Sequence, residues 1–295
     1  MRIEAECIPC LMKRVLFQAG LDGSGAEYES VVAAVKACAD NIRRDMHSVE
    51  ISTVMHSAAY SVLSTDDPYL GLKLKADEVA SEFVRRAQEH VDSSDDPLQA
   101  ALEVVVVGNI MDFGMGKAID DPQSFREVFD DLLAQGIDCS DISELKALID
   151  GSGHVLYMFD NCGESVLDVI LIRMLRDMGL KVTGVVRGAP ILNDVTMDDA
   201  VREGLTDELD DIVTTGKFYI GVDWNDIPDD LSEALDSADF IIAKGMANYE
   251  ASSHVGLPIP IVHVLRAKCN VVSSSMGVPL GSNVVRVVMP GGVSE

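Results

Sequence analysis

The chain has 295 residues, with 49 Asp and Glu against 23 Lys and Arg, a formal net charge of −26 at neutral pH. That balance excludes a nucleic-acid binder that relies on counterion release, and 47% apolar content excludes a disordered chain. No apolar stretch approaches the roughly 18 uninterrupted residues of a membrane span, and the opening MRIEAECIPC carries acids where a secretory signal carries bases and then an apolar run. A soluble, cytoplasmic protein is expected, with no membrane and no nucleic acid among its partners. Any anionic ligand must be drawn in by local positive charge against the global field.

From Glu4 to about Glu89 the apolar residues recur at helical spacing, as in Leu11, Val15 and Leu16 and again in Val54, Ala58, Ala59 and Val62. Residues 1–98 are therefore expected to form an all-helical domain. The acidic, turn-rich segment Asp92-Ser93-Ser94-Asp95-Asp96-Pro97 marks its end, and residues 99–295 form the second domain. Ala100 to Val107 reads equally as a buried helix or a strand, and it runs into Gly108-Asn109-Ile110-Met111-Asp112-Phe113-Gly114. From His154 short apolar runs alternate with amphipathic segments: HVLYMFD, SVLDVILIRMLRDMG, KVTGVVRG, VTMDDAVREG, DDIVTTG, DDLSEALDSA, DFIIAKG and PIVHVLRAKC. This rhythm predicts βαβ units joined by right-handed crossovers. The fold class is α/β, a doubly wound, mainly parallel three-layer sheet behind an N-terminal helical domain.

Ligands of an open parallel sheet sit beyond the carboxyl ends of its strands, so the residues after each strand are the ones to read. These are Asp160, Asn161, Cys162, Gly163 and Glu164; then Arg187, Gly188, Asn193 and Asp194; then Thr214, Thr215 and Gly216; then Lys244, Gly245 and Asn248. Asp160, Asn161 and Asp194 together offer hard oxygen donors, a set suited to Mg²⁺, Mn²⁺ or a similar divalent ion. Taken singly, Asp160 and Asp194 read as readily as caps of the helices that follow them. Lys244 closes an apolar strand and would serve as a point cation for a phosphate or carboxylate, or else pair with Asp160 or Glu164. The helix opening at Gly163-Glu164-Ser165 offers free N–H groups to an anion. A strand closing in Phe159-Asp160 superficially resembles the haloacid-dehalogenase nucleophile, but that motif needs a second acid where Cys162 stands. Attack by metal-activated water is therefore favoured over a covalent aspartyl-phosphate.

Taken together, these motifs resemble the metal-dependent damage-control phosphatases, formerly grouped as domain of unknown function 89. The resemblance spans nearly the whole chain. It rests on Cys7-x-x-Cys10, Gly108-Asn109-x-x-Asp112-Phe113-Gly114, Asp160-Asn161-x-Gly163-Glu164, the Asp194 loop, and Ala238-Asp239 with Lys244-Gly245-x-x-Asn248-Tyr249-Glu250. The compact size and the N-terminal Cys pair are similar to the archaeal and bacterial branch. The resemblance implies a divalent metal (Mg, Mn, Co or Ni) on Asp160, Asn161 and Asp194, with Lys244 and Asn248 at the phosphate end of the pocket. It also implies that Asn109 and Asp112 lie close to the same cleft. The implied activity is hydrolysis of small phosphomonoesters, such as sugar phosphates or phosphopantetheine-like damaged or surplus metabolites. Two positions depart from the pattern: Cys162 stands where a small apolar residue is common, and Ala247 replaces a glycine.

In the resulting scheme Lys244 and the helix N-terminus offset the phosphate charge, Arg187, Thr215 and Gly216 help bind substrate, and Glu164 or Asp194 takes the proton from water. Cys7 and Cys10 remain open to three readings: a second metal site, a redox pair, or plain packing. The six cysteines, at 7, 10, 38, 139, 162 and 269, are too few and scattered for a disulfide scaffold. Two further functions stay in play, an S-adenosylmethionine-dependent carboxyl methyltransferase and a non-catalytic metal or redox sensor using Cys7 and Cys10. The first strand lacks the glycine-rich loop a dinucleotide-like cofactor would want. Oligomeric state is not legible from the sequence.

Overall fold

A computed structural model describes residues 1–114 and 121–292. Six helices come first: α1 (Cys7–Asp22), α2 (Glu27–Asn41), α3 (Ser48–Tyr60), α4 (Leu70–Ser81), α5 (Val84–Asp92) and α6 (Pro97–Gly108). The ambiguous run Ala100 to Val107 is part of α6, and the residues just before it decide the matter. Asp96 accepts the backbone N–H of Gln99 at 3.3 Å and Pro97 occupies the first turn, the pairing of cap and proline that starts a helix.

Four helices and four strands then alternate: α7 (Phe125–Gln135), β1 (Cys139–Ser140), α8 (Ile142–Asp150), β2 (His154–Met158), α9 (Glu164–Asp177), β3 (Lys181–Val186), α10 (Met197–Glu203) and, after α11 (Leu205–Glu208), β4 (Asp211–Thr214). The chain closes with α12 (Asp229–Ser237), β5 (Phe240–Lys244), α13 (Gly245–Ser252), β6 (Ile261–Arg266), α14 (Asn270–Met276) and β7 (Asn283–Val288). The seven strands form one sheet in the order β1-β7-β6-β5-β2-β3-β4. Every neighbouring pair is parallel except β6 and β7. The chain leaves β2 in one direction through β3 and β4, then returns to β5 and leaves in the other. The order therefore reverses between β2 and β5, the point where such sheets bind ligands.

Strand alternation builds the three layers. On β2, Val155 and Tyr157 face a large core shared with α4, α5, α6 and α9, while Leu156 and Met158 face a smaller one closed by Leu231 and Leu235 of α12. The large core runs without a break from Ala76 of α4 to Val285 of β7, across the turn at Asp92–Pro97. Helices α1 to α3 hold their own apolar cluster around Val15, Ile51 and Met55. They dock on the carboxyl end of the sheet: Leu192 N–H donates to the Tyr60 hydroxyl at 3.0 Å, Ile220 N–H to Thr53 Oγ1 at 3.0 Å, and Ser48 Oγ to Glu250 Oε2 at 2.5 Å. Among the described residues no helix is long and apolar enough to cross a membrane.

The expected strands from His154 onward are β2 to β6, and the helices between them are α9, α10 and α12. Strands β1 and β7 were not anticipated; two residues carry no periodicity, and VVRVV lies past the last segment read. The ends of β3 and β4 pack so closely that Thr215 Oγ1 accepts the Gly188 N–H at 3.0 Å. A Cβ at Gly188 would lie 2.3 Å from Lys217 N and 2.4 Å from the Gly216 carbonyl carbon. Because backbone cannot yield as a side chain does, Gly188→Ala is expected to cost about 3 kcal/mol or more, measured as a fall in the denaturant midpoint.

Candidate active site

The carboxyl ends of β2 and β3 are sewn together by backbone bonds. Val195 N–H donates to Asp160 O at 2.9 Å, Cys162 N–H to Asn193 O at 2.8 Å, and Asn161 forms an antiparallel bridge with Asp194. Asp160, Asn161 and Asp194 thereby reach one cavity of about 120 Å³. Neither acid is a helix cap: Gly163 is the N-cap of α9, with no side-chain cap, and Thr196 caps α10.

Each of the three keeps one oxygen outside the bonds that position it. Asp160 Oδ2 accepts the side-chain amides of Asn161 at 2.7 Å and Asn109 at 3.1 Å, leaving Oδ1 with only the guanidinium of Arg187, 3.6 Å off. Asn161 turns its nitrogen inward to Asp160 and to Glu164 Oε2 at 3.0 Å, so its oxygen is what it can offer the cavity. Asp194 Oδ2 accepts Arg187 Nε at 2.6 Å, which leaves Oδ1. Burial pushes the Asp160 carboxyl well above its ordinary range, and the charges of Asp194 and Glu164 push it further. Burial raises Asp194 as well, against the pull of Arg187. Hard oxygens backed by uncompensated negative charge are a donor set for a divalent cation; the residues present fit such an ion.

Glycine makes this geometry possible. Gly245 opens α13 at φ +74°, and a Cβ there would lie 1.8 Å from Asp160 Oδ2. No other residue fits between β5 and the Asp160 carboxylate.

Lys244 lies behind the site. Fully buried, its ammonium donates to Glu164 Oε1 at 2.5 Å, Asp168 Oδ1 at 2.6 Å and Val105 O at 3.0 Å, and it is not among the residues of the cavity wall. The alternative of an ion pair with Glu164 is what the structure contains. Glu164 is itself fully buried, its oxygens taken up by Lys244, Asn109 and Asn161. Asn248 braces the strand ends, accepting Arg187 Nη1 at 2.9 Å and donating to Lys244 O at 2.7 Å and Phe159 O at 3.0 Å. Arg187, Asn109, Thr215 and Gly216 also stand off the wall, the first two directly behind Asp160. The helix opening is not free for an anion, because Gly163 N–H donates to Asp77 Oδ1 at 2.7 Å.

The positive charge at the cavity comes from elsewhere. Arg14 of α1 lines the wall and bonds Asp112, whose other oxygen accepts Lys268 Nζ at 2.9 Å. Burial works against the Asp112 carboxylate, but Arg14 and Lys268 outweigh it and hold it below the ordinary range. Cys7, Cys10 and Arg14 share one face of α1, a spacing of three and then four residues that puts all of them on the wall, opposite Cys269 and Glu250. That spacing was the signal for Arg14. Lys268 lies two residues beyond β6, a strand end the sequence reading did not follow. His56 of α3 also lines the cavity; its Nδ1 lies 2.7 Å from Gln18 Oε1 and its Nε2 has no partner. Burial, aided by Arg14, lowers its pKa to about 3, so the ring is neutral.

Buried acids and amides at the switch point of a doubly wound sheet, roofed by helices, mark the end at which such a sheet binds its ligand. The chain matches the damage-control phosphatase ARMT1-like domain over residues 3–284 and belongs to that family. It is 36% identical over 290 residues to a damage-control phosphatase of Archaeoglobus fulgidus, covering 98% of this chain and all of that one. It is 28% identical to a damage-control phosphatase of Pyrococcus horikoshii, covering 96% of each chain. A crystal structure of a domain-of-unknown-function-89 protein from Pyrococcus horikoshii superposes with a TM-score of 0.85 at 25% identity over 99% of both chains.

Lys244→Met leaves Glu164 and Asp168 buried without their cation. A loss of about 3–5 kcal/mol of stability is expected, read by chemical denaturation; a variant as stable as the parent would remove Lys244 from this network.

Proposed function

We propose that the chain hydrolyses small phosphomonoesters in this cavity with the help of a divalent metal ion. The observation that carries the reading is the set of three oxygens, Asp160 Oδ1, Asn161 Oδ1 and Asp194 Oδ1, left over at adjacent strand ends. The family and the names of its relatives supply the reaction class. An ion such as Mg²⁺, Mn²⁺, Co²⁺ or Ni²⁺ on Asp160, Asn161 and Asp194 would polarise the phosphoryl oxygens and lower the pKa of water.

The chain's own residues divide the remaining work. Arg14, held by Asp112, presents a guanidinium to the phosphoryl group and offsets its charge, the electrostatic term that dominates such reactions. Lys268 fixes Asp112 and, through Asn109 O at 2.7 Å, the turn that follows α6. Asn109, Glu164, Lys244 and Arg187 are positioning residues that hold Asp160 and Asn161 from behind. Of the two acids weighed as proton acceptor for water, Asp194 lies at the wall and Glu164 does not reach the cavity. His56 Nε2 offers a neutral partner to a hydroxyl or amide of the leaving group, which favours sugar phosphates and similar polar alcohols over bare alkyl phosphates. A pocket of about 120 Å³ suits small substrates. Nothing at the end of β2 favours methyl transfer: the loop there is Asp-Asn-Cys-Gly-Glu, with its carboxylates turned to the cavity and to Lys244.

The test is phosphate release from a panel of sugar phosphates with each metal. Asp160→Ala is expected to lower metal-dependent turnover by at least about a hundredfold with the fold intact, a scale typical of losing a preorganised electrostatic contact. Turnover retained in excess metal would refute the assignment. His56→Ala is expected to raise KM for hydroxyl-bearing substrates by about tenfold, the worth of one hydrogen bond of roughly 1.4 kcal/mol. An unchanged KM across the panel would take His56 out of substrate recognition.

A further inference from the structure

Behind the catalytic loop, on the far side from the cavity, three side chains from separate elements converge: Asp77 of α4, Cys162 of the loop after β2, and Glu203 at the end of α10. Their ligand atoms all lie within 4.8 Å of one another, and among the described residues no other group of three His, Cys, Asp or Glu side chains meets so closely. The Glu203 side chain is 2% exposed. Its Oε2 accepts Ser165 Oγ at 2.5 Å, while Oε1 is buried with no hydrogen-bond partner, 3.7 Å from the Arg202 guanidinium. An unpaired carboxylate oxygen in a buried position is costly unless something arrives to bind it.

Charge points the same way. The carboxylates of Asp67, Asp77, Asp199 and Glu203 share two cations, Lys73 and Arg202. Lys73 is committed to Asp67 at 3.0 Å and Asp199 at 2.9 Å, and Arg202 to Asp199 at 2.6 Å and Asp77 at 3.1 Å. Two negative charges are left over, and a divalent ion that also takes the Cys162 thiolate would offset two of the resulting three.

We propose that Asp77, Cys162 and Glu203 form a second metal site, distinct from the oxygen-lined cradle and selective for a borderline ion such as Zn²⁺ or Co²⁺. One sulfur with two carboxylate oxygens disfavours Mg²⁺ and suits a tetrahedral ion whose fourth ligand is water. Zn–S of about 2.3 Å and Zn–O of about 2.1 Å set ligand atoms roughly 3.5 Å apart, within the reach of three side chains already this close. Asp77 and Glu203 border a surface groove of about 440 Å³, through which ion and water reach the site. On binding, the Cys162 thiol proton passes to solvent. The ion then ties α4 and α10 to the loop that carries Asp160 and Asn161, next to Gly163, whose N–H Asp77 already holds. Its role is to fix that loop, and the site does not depend on the reaction proposed for the cavity.

The experiment titrates metal-stripped protein with Co²⁺ and follows the thiolate-to-cobalt charge-transfer band in the near ultraviolet, which oxygen ligands do not give. One equivalent of the band is expected, retained in the Cys7→Ser/Cys10→Ser double variant and lost in Cys162→Ser. Glu203→Gln, a check should Cys162→Ser fail to fold, is expected to weaken Co²⁺ at least tenfold by the same band. Absence of the band in the parent protein, its survival in Cys162→Ser, its loss in the double variant, or unchanged affinity in Glu203→Gln would each overturn the proposal.

Discussion

Everything at the mouth of the sheet depends on three buried carboxylates, Asp160, Asp194 and Glu164, crowded together in a region that excludes water. Inside a protein an unpaired charge is costly, and the compensation must come from cations held at hydrogen-bond distance. Here Arg187 closes β3 and Lys244 closes β5, on either side of β2. Their positions follow from strand register, Met158 lying opposite both Val185 and Ala243. Arg187, two residues past Val185, and Lys244, one past Ala243, cannot drift without slipping a whole strand. Asn109 and Asn161 then link the two ion pairs through neutral amides, so that Asp160 is held from three sides.

The cavity therefore has a floor and a roof of different construction. The floor is sheet, loop and buried charge, tied by backbone bonds between the ends of β2 and β3. The roof is helical: Cys7, Cys10 and Arg14 on α1 and His56 on α3, elements with their own small apolar cluster. Contacts through Tyr69, Ile191 and Ile220 join the two. The floor carries Asp160, Asn161 and Asp194 and the roof carries Arg14 and His56, so the two walls of the cavity come from different parts of the chain.

Much of this was legible in the sequence. The alternation from His154 onward gave the strands and helices, and the rule that ligands gather at strand ends selected Asp160, Asn161 and Asp194, which do share a cavity. The sequence left Lys244 between two readings, a cation for a ligand or a partner of Asp160 or Glu164, and Glu164 with Asp168, one turn apart on α9, claims it. The anion seat at Gly163 was misread for a similar reason, since the carboxylate that fills it, Asp77, comes from a helix 86 residues earlier. Arg14 had a signal, its place on the Cys7 and Cys10 face of α1, that was not followed, and His56 escaped because it sits on a helix whose docking onto the sheet no local pattern encodes. Long-range pairing between elements is what a periodicity argument cannot supply.

The two ends of the sheet deserve a different accounting. β1 has two residues and β4 has four, so the outermost strands expose few open N–H and C=O groups despite a seven-stranded interior rich in valine and isoleucine. Short margins of this kind give another molecule little to pair with. Combined with 26 surplus negative charges, they should keep concentrated solutions of the protein free of edge-to-edge clumping even though its interior strands are among the most aggregation-prone segments a chain can carry.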